Sequence, residues 1–179
     1  MRILLSLVCI GGLLGCSDDE AGTGGAGGDG GDGTGGSGGG GQVTVDDAAI
    51  SQQAAGYAQL TKVNQAPFMS AQHDGMPMVN VYVNGVGAAE YAKVPMGAAS
   101  FPEGTLIVKE MLDAQGQPMM LTAMYKAPEG YDPTNRDWWW GMLMPNGTPA
   151  QSGSVGKIAM CNGCHQSQTS TDAAFGLPQ

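Results

Sequence analysis

The sequence predicts an α+β domain, a mainly antiparallel sheet with short helices beside it. Three observations point there. Four runs of strand length lie between Pro77 and Met144, bounded by Gly, Pro, Asn or Asp. Gln115-Gly116 joins two of them through a tight hairpin turn. Helical periodicity is confined to short segments at either end and to one piece between strands.

In chain order, Val45 to Val63 is expected to be a helix. Asp46 or Thr44 can cap it, and Ile50, Ala54, Tyr57 and Ala58 fall at helical spacing. Pro67 closes that region. Pro77 to Asn84 alternates Met78, Asn80 and Tyr82 against Val79, Val81 and Val83, the period-two pattern of a strand. Asn84-Gly85 turns the chain into a helical piece from Ala88 to Val94. Gly104 to Leu112 is apolar on both faces, as expected of a strand covered twice. Pro118 to Lys126 follows the hairpin turn, and Pro128 to Pro133 is a loop rich in turn residues. Asp137 to Met144 is the last strand, closed by Pro145-Asn146-Gly147, and Lys157 to Gln166 is a short helix.

That last helix contains Cys161-Asn162-Gly163-Cys164-His165, a C-x-x-C-H site for covalent attachment of a c-type haem. Two thiols three positions apart lie on one side of a helical turn, where each can form a thioether to a vinyl group. His165 then aims its imidazole at the iron as the proximal ligand. A zinc site would need two more ligands, and His73 is the only other histidine. A thioredoxin-like dithiol would sit early in a βαβ pattern rather than late with His following.

The chain begins with an expected export signal, residues 1–15. Arg2 precedes an apolar run from Ile3 to Ile10, too short to span a bilayer. Leu13-Leu14-Gly15-Cys16 resembles the lipobox of bacterial lipoproteins, which implies cleavage before Cys16 and its acylation. Leu14 is bulkier than the usual residue there. Residues 16–41 then form a linker, with fourteen glycines among the twenty residues from Gly22 to Gly41. About 25 residues of that composition have a root-mean-square span of roughly 25–30 Å. Residues 42–179 form the expected folded domain, in an extracytoplasmic protein lipid-anchored to a bacterial membrane, in the periplasm or at the cell surface. Cys9 leaves with the signal, Cys16 takes lipid, and Cys161 and Cys164 take haem, so none remains for a disulfide. The formal charge of −9 becomes −10 once Arg2 is lost, which argues against nucleic acid as a partner.

Four stretches together resemble one family. They are Phe101-Pro102-Glu103-Gly104-Thr105-Leu106-Ile107-Val108-Lys109-Glu110, Met124-Tyr125-Lys126, Gly130 to Trp140, and Cys161 to His165. In that order they look like the cytochrome P460 and cytochrome c′-β family, over roughly Val79 to Gly176. The resemblance implies a cytochrome P460-like antiparallel-sheet haem protein, usually a homodimer, with one proximal histidine and an open distal position. True P460 members carry a bond from a lysine nitrogen to a porphyrin meso carbon and oxidise hydroxylamine. Their c′-β relatives lack that bond and bind nitric oxide or carbon monoxide. Lys109 matches the position of the cross-linking lysine. The all-helical class I cytochrome c fold is excluded by the strand pattern.

Individual residues keep two readings. Lys109 alternates with Ile107 and Met111, so it shares an apolar face where its amine would lose charge and become nucleophilic. Alternatively it snorkels to the rim, or pairs with Glu110 or a haem propionate. Trp138 and Trp140 should share one face and Trp139 the other, as core packing and dimer interface. Any of eleven methionines could be a sixth iron ligand, although methionine is more often core filler. His73 is either a distal ligand or proton relay or, the commoner case, a surface histidine. Phe68 and Phe101 are candidates for an apolar distal cap, against ordinary core. Gly156 to Met160 holds no carboxylate to accept protons from a hydroxylamine.

Three functions follow in order. The first is haem redox chemistry on small nitrogen oxides, with a redox partner protein. The second is a non-catalytic gas binder, and the third an electron carrier with Met or His as sixth ligand. A non-haem surface lipoprotein would require the C-x-x-C-H to be chance.

Overall fold

The structure is a computed structural model that describes residues 42–70, 73 and 77–178. The expected signal, the expected lipidation at Cys16 and the expected linker therefore lie outside the described residues. Among the described residues no helix is long and apolar enough to cross a membrane.

Helix α1 spans Asp47–Ala55, with Asp46 as N-cap accepting from Ala49 N at 2.9 Å. It is shorter than the helix expected to Val63. Gly56 ends it, Tyr57–Gln59 forms a 3₁₀ turn, and Thr61–Lys62 is already a strand, β1. The remaining strands are β2 (Phe68–Met69), β3 (Met78–Val83), β4 (Leu106–Leu112), β5 (Pro118–Lys126), β6 (Trp138–Leu143) and β7 (Val155–Gly156). Helix α2 (Ala88–Tyr91) and a 3₁₀ turn at Val94–Met96 lie between β3 and β4, and α3 (Ala159–His165) follows β7. Strands β1, β2 and β7 have two residues each and no propensity signal of their own. They exist because β3 and β6 offer edges to pair with.

The sheet runs β1-β3-β4-β5-β6-β7, with β2 also pairing β3, and every pairing is antiparallel. The fold is α+β, as the sequence predicts. Apolar side chains fill both faces of the sheet. Leu106, Val108, Leu121, Ala123, Trp139 and Leu143 pack against Ile50 and Ala54 of α1. On the other face Val81, Val83, Ile107, Met124, Trp138 and Trp140 pack against α2, Phe101 and the segment around α3.

The Trp138-Trp139-Trp140 run divides between the faces by strand alternation, and each indole N–H finds an acceptor in a different flanking element. Trp139 Nε1 donates to Asp47 Oδ1 at the start of α1, 2.8 Å. Trp138 Nε1 donates to the Asp172 carbonyl at 2.8 Å, and Trp140 Nε1 to Asn162 Oδ1 in α3 at 2.7 Å. Gly141 makes room for this. A Cβ there would stand 2.7 Å from the Trp139 ring.

Glu110 is the buried charge of the α1 side, 6% exposed. Its carboxylate accepts from Tyr57 Oη (2.6 Å), Asn80 Nδ2 (2.7 Å) and Tyr82 Oη (3.2 Å). Asn64 extends the network, donating to Asn80 Oδ1 and accepting from Val81 N. Glu110→Ala strips the acceptor from three largely buried donors and should cost about 3 kcal/mol or more in urea unfolding, with Glu110→Gln costing less. A loss below about 1 kcal/mol for the alanine variant would mean that the network does not hold β3 and β4 to the 3₁₀ turn after α1.

Candidate haem site

Strand register builds the floor of the site. Val81, Lys109, Thr122 and Met142 stand opposite one another across β3, β4, β5 and β6. The next row is Val83, Ile107, Met124 and Trp140, and a third contains Val79, Met111 and Met120. Above these rows lies a cavity of about 680 Å³, walled on its far side by Cys161, Cys164, His165 and the segment Ala174 to Pro178. That volume is typical of a cofactor pocket.

Helix α3 brings the motif to the wall. Cys161 and Cys164 both face the cavity, Cys161 half-buried and Cys164 exposed. Burial pushes the Cys161 thiol up to about 11, with Cys164 adding to the effect. His165 lies between two rings, 4.5 Å from Trp140 and 4.9 Å from Phe175, centroid to centroid. Its Nδ1 is 2.7 Å from the Ala173 carbonyl. That contact makes Nδ1 the protonated nitrogen and leaves the Nε2 lone pair available. Burial lowers the His165 pKa to about 4 against the opposing pull of that carbonyl, and Lys109 lowers it slightly further. The imidazole is therefore neutral at neutral pH, the form that ligates a metal.

Lys109 also faces the cavity. Its amine lies 3.4 Å from both Ser70 Oγ and His73 Nδ1, and Ser70 Oγ is 2.9 Å from the same His73 nitrogen. Burial lowers the Lys109 pKa to about 8. Pairing with Glu110 does not occur, because Glu110 lies on the opposite face of the sheet, held by Tyr57, Asn80 and Tyr82.

His73 is half-buried and lines the cavity, so the surface reading gives way. Phe68 pairs with Val79, and the Ser70 carbonyl accepts from His73 N at 3.3 Å, with Ser70 and His73 both lining the cavity. Phe68 lines the cavity too, whereas Phe101 does not. Phe101 is buried 5.7 Å from Trp138 and 6.4 Å from Tyr91, so it is core. Seven of the described lining residues are methionines, and no described lining residue is a carboxylate. No group of three or more His, Cys, Asp or Glu among the described residues is placed to hold a metal ion.

Ser70 and Thr122 are site groups that sequence reasoning missed; a backbone carbonyl at His165 Nδ1 was expected, but not which residue supplies it. Thr122 could have been found from the β4–β5 register once Lys109 was singled out. A backbone carbonyl carries no residue signature at all.

The residues present fit haem c. Two thiols at motif spacing and a neutral imidazole line a mostly apolar cavity, whose rim exposes Met69, Met119 and Met160 to a flat apolar group. The cytochrome P460 family model matches residues 54–176, from within α1 to beyond α3. Among curated proteins no match is found.

The lysine has a consequence for stability. Its folded pKa lies below the ordinary 10.5, so between pH 8 and 10.5 the unfolded chain holds more protons. Its burial penalty is complete below pH 8 and is relieved as pH rises through that window. In the haem-free chain Lys109→Met should therefore gain on the order of 1–2 kcal/mol at pH 7, a figure discounted because water reaches the cavity. Denaturant midpoints at pH 7 and pH 10 check this. A gain that does not shrink at pH 10 would contradict a buried amine.

Proposed function

The chain belongs to the cytochrome P460 family of c-type haem proteins, whose cofactor is haem c, and we propose that it carries out haem redox chemistry on small nitrogen oxides such as hydroxylamine or nitric oxide. One haem c would be held by thioethers from Cys161 and Cys164, with His165 Nε2 on the iron. The observation that carries this reading is that the cavity faced by these three residues also holds the Lys109 amine, withdrawn from water and set against Ser70 and His73.

When bound, haem c supplies one-electron redox chemistry and an iron position for a small nitrogen ligand. The chain supplies the surroundings. Phe68, Ile107 and Met111 give the cavity an apolar lining. His73, set against Ser70 and Lys109, offers a proton acceptor for a nitrogen substrate as it is oxidised, where no described lining residue is a carboxylate. Electrons leave to a redox partner protein. Thioether formation belongs to the extracytoplasmic side of the membrane, in keeping with the leader and with lipid anchoring at Cys16. A homodimer fits the family resemblance.

A second reading, a gas-binding protein of the c′-β type, is favoured by the apolar lining of the cavity and its lack of carboxylates among the described residues.

The two separate spectroscopically. Absorption is recorded on the haem-matured protein oxidised, reduced, and reduced under carbon monoxide. A strongly red-shifted reduced Soret band that Lys109→Ala abolishes would establish a lysine cross-link, and hydroxylamine turnover should follow. An ordinary c-type spectrum that responds to carbon monoxide would support the gas binder. No response would mean a sixth protein ligand, one of the cavity methionines or His73, and would sink both readings.

A further inference from the structure

The carbonyl that accepts from His165 is presented by a strained turn. Asp172 and Ala173 are consecutive non-glycine residues in the left-handed region, at φ 49° and 72°. Each costs on the order of 1 kcal/mol and persists only where its surroundings over-determine it. Two glycines would adopt this turn without that cost.

The surroundings here are a buried clamp. The Asp172 carboxylate accepts from Lys126 Nζ at 2.8 and 3.0 Å, through both oxygens, and from Phe101 N at 3.0 Å. The Asp172 carbonyl accepts from Trp138 Nε1. Lys126 Nζ also donates to the Arg136 carbonyl at 2.8 Å and lies 5.0 Å above the Trp138 ring. Both charged side chains are largely withdrawn from water, 16% and 10% exposed. Such a pair is weak evidence for stability, since desolvation offsets its attraction. It does fix geometry: β5 grips the turn at the residue just before the carbonyl that meets His165 Nδ1 at 2.7 Å.

We propose that Lys126 and Asp172 are positioning residues for the proximal ligand, their ion pair setting the direction and strength of the hydrogen bond from His165 to the Ala173 carbonyl. The proposal rests on His165 being the iron ligand. A firm acceptor at Nδ1 makes the imidazole a stronger donor at Nε2 and so favours the oxidised metal. Loosening the clamp weakens that donation.

The test uses the haem-matured full chain and two readouts other than turnover. These are the iron–imidazole stretching band of the ferrous protein by resonance Raman, and the reduction potential. Asp172→Asn and Lys126→Met should each shift the band down and the potential up, and the double variant should move little further than either single one. Lys126→Arg, which keeps the pair, should hold the parent values. Leu121→Ala, buried on the opposite face, should lower stability and leave the band in place. Band and potential unchanged in Lys126→Met, or strictly additive shifts in the double variant, would overturn the clamp. A parent protein with no iron–imidazole band would instead overturn the assignment of His165 itself.

Discussion

A buried indole N–H must find an acceptor, and three consecutive tryptophans on one strand cannot find it in one place. The rest of the structure depends on how β6 meets that demand. Alternation sends Trp139 to α1 and sends Trp138 and Trp140 to the opposite face. There they receive the two pieces of chain that carry the motif histidine and its hydrogen-bond partner. Asn162, inside the C-x-x-C-H, is tied to Trp140, and Asp172, beside the carbonyl that meets His165, is tied to Trp138. The indoles thus register the C-x-x-C-H segment against the sheet.

The two faces of the sheet do different work with similar residues. Lys109 and Glu110 are neighbours in sequence, and the pleat separates them completely. Glu110 closes a hydrogen-bond network with two tyrosines and two asparagines, which satisfies its burial. Lys109 is left in an apolar cavity with a hydroxyl and an imidazole at longer range, and its pKa falls. A saturated carboxylate on one side and an underpaid-for ammonium on the other is what divides a structural face from a chemical one.

Much of this was legible in the sequence. Strands β3 to β6 appear within about two residues of their expected limits, because period-two alternation and turn residues mark them strongly. The partition of the tryptophans followed from the same alternation. Helix α1 stops well short of Val63 because Gly56 ends it and because the Tyr57 hydroxyl is drawn to Glu110, a residue far away in sequence. The contiguous motif made Cys161, Cys164 and His165 visible, and Lys109, His73 and Phe68 stood as candidates, while Ser70 and Thr122 were hidden. Ser70 and His73 reach the cavity only through a two-residue strand, and Phe101 leaves it for a ring of core aromatics. The strained turn at Asp172 and Ala173 has no glycine to announce it.

Covalent haem at the C-x-x-C-H is the central claim, and intact mass under denaturing conditions tests it most directly. The protein is exported with haem c maturation and then extracted with acidified acetone. The account predicts a chain that retains the mass of one haem, and a Cys161→Ser/Cys164→Ser variant that loses it. A parent chain that gives up its haem to the solvent, or never carried one, would contradict the account.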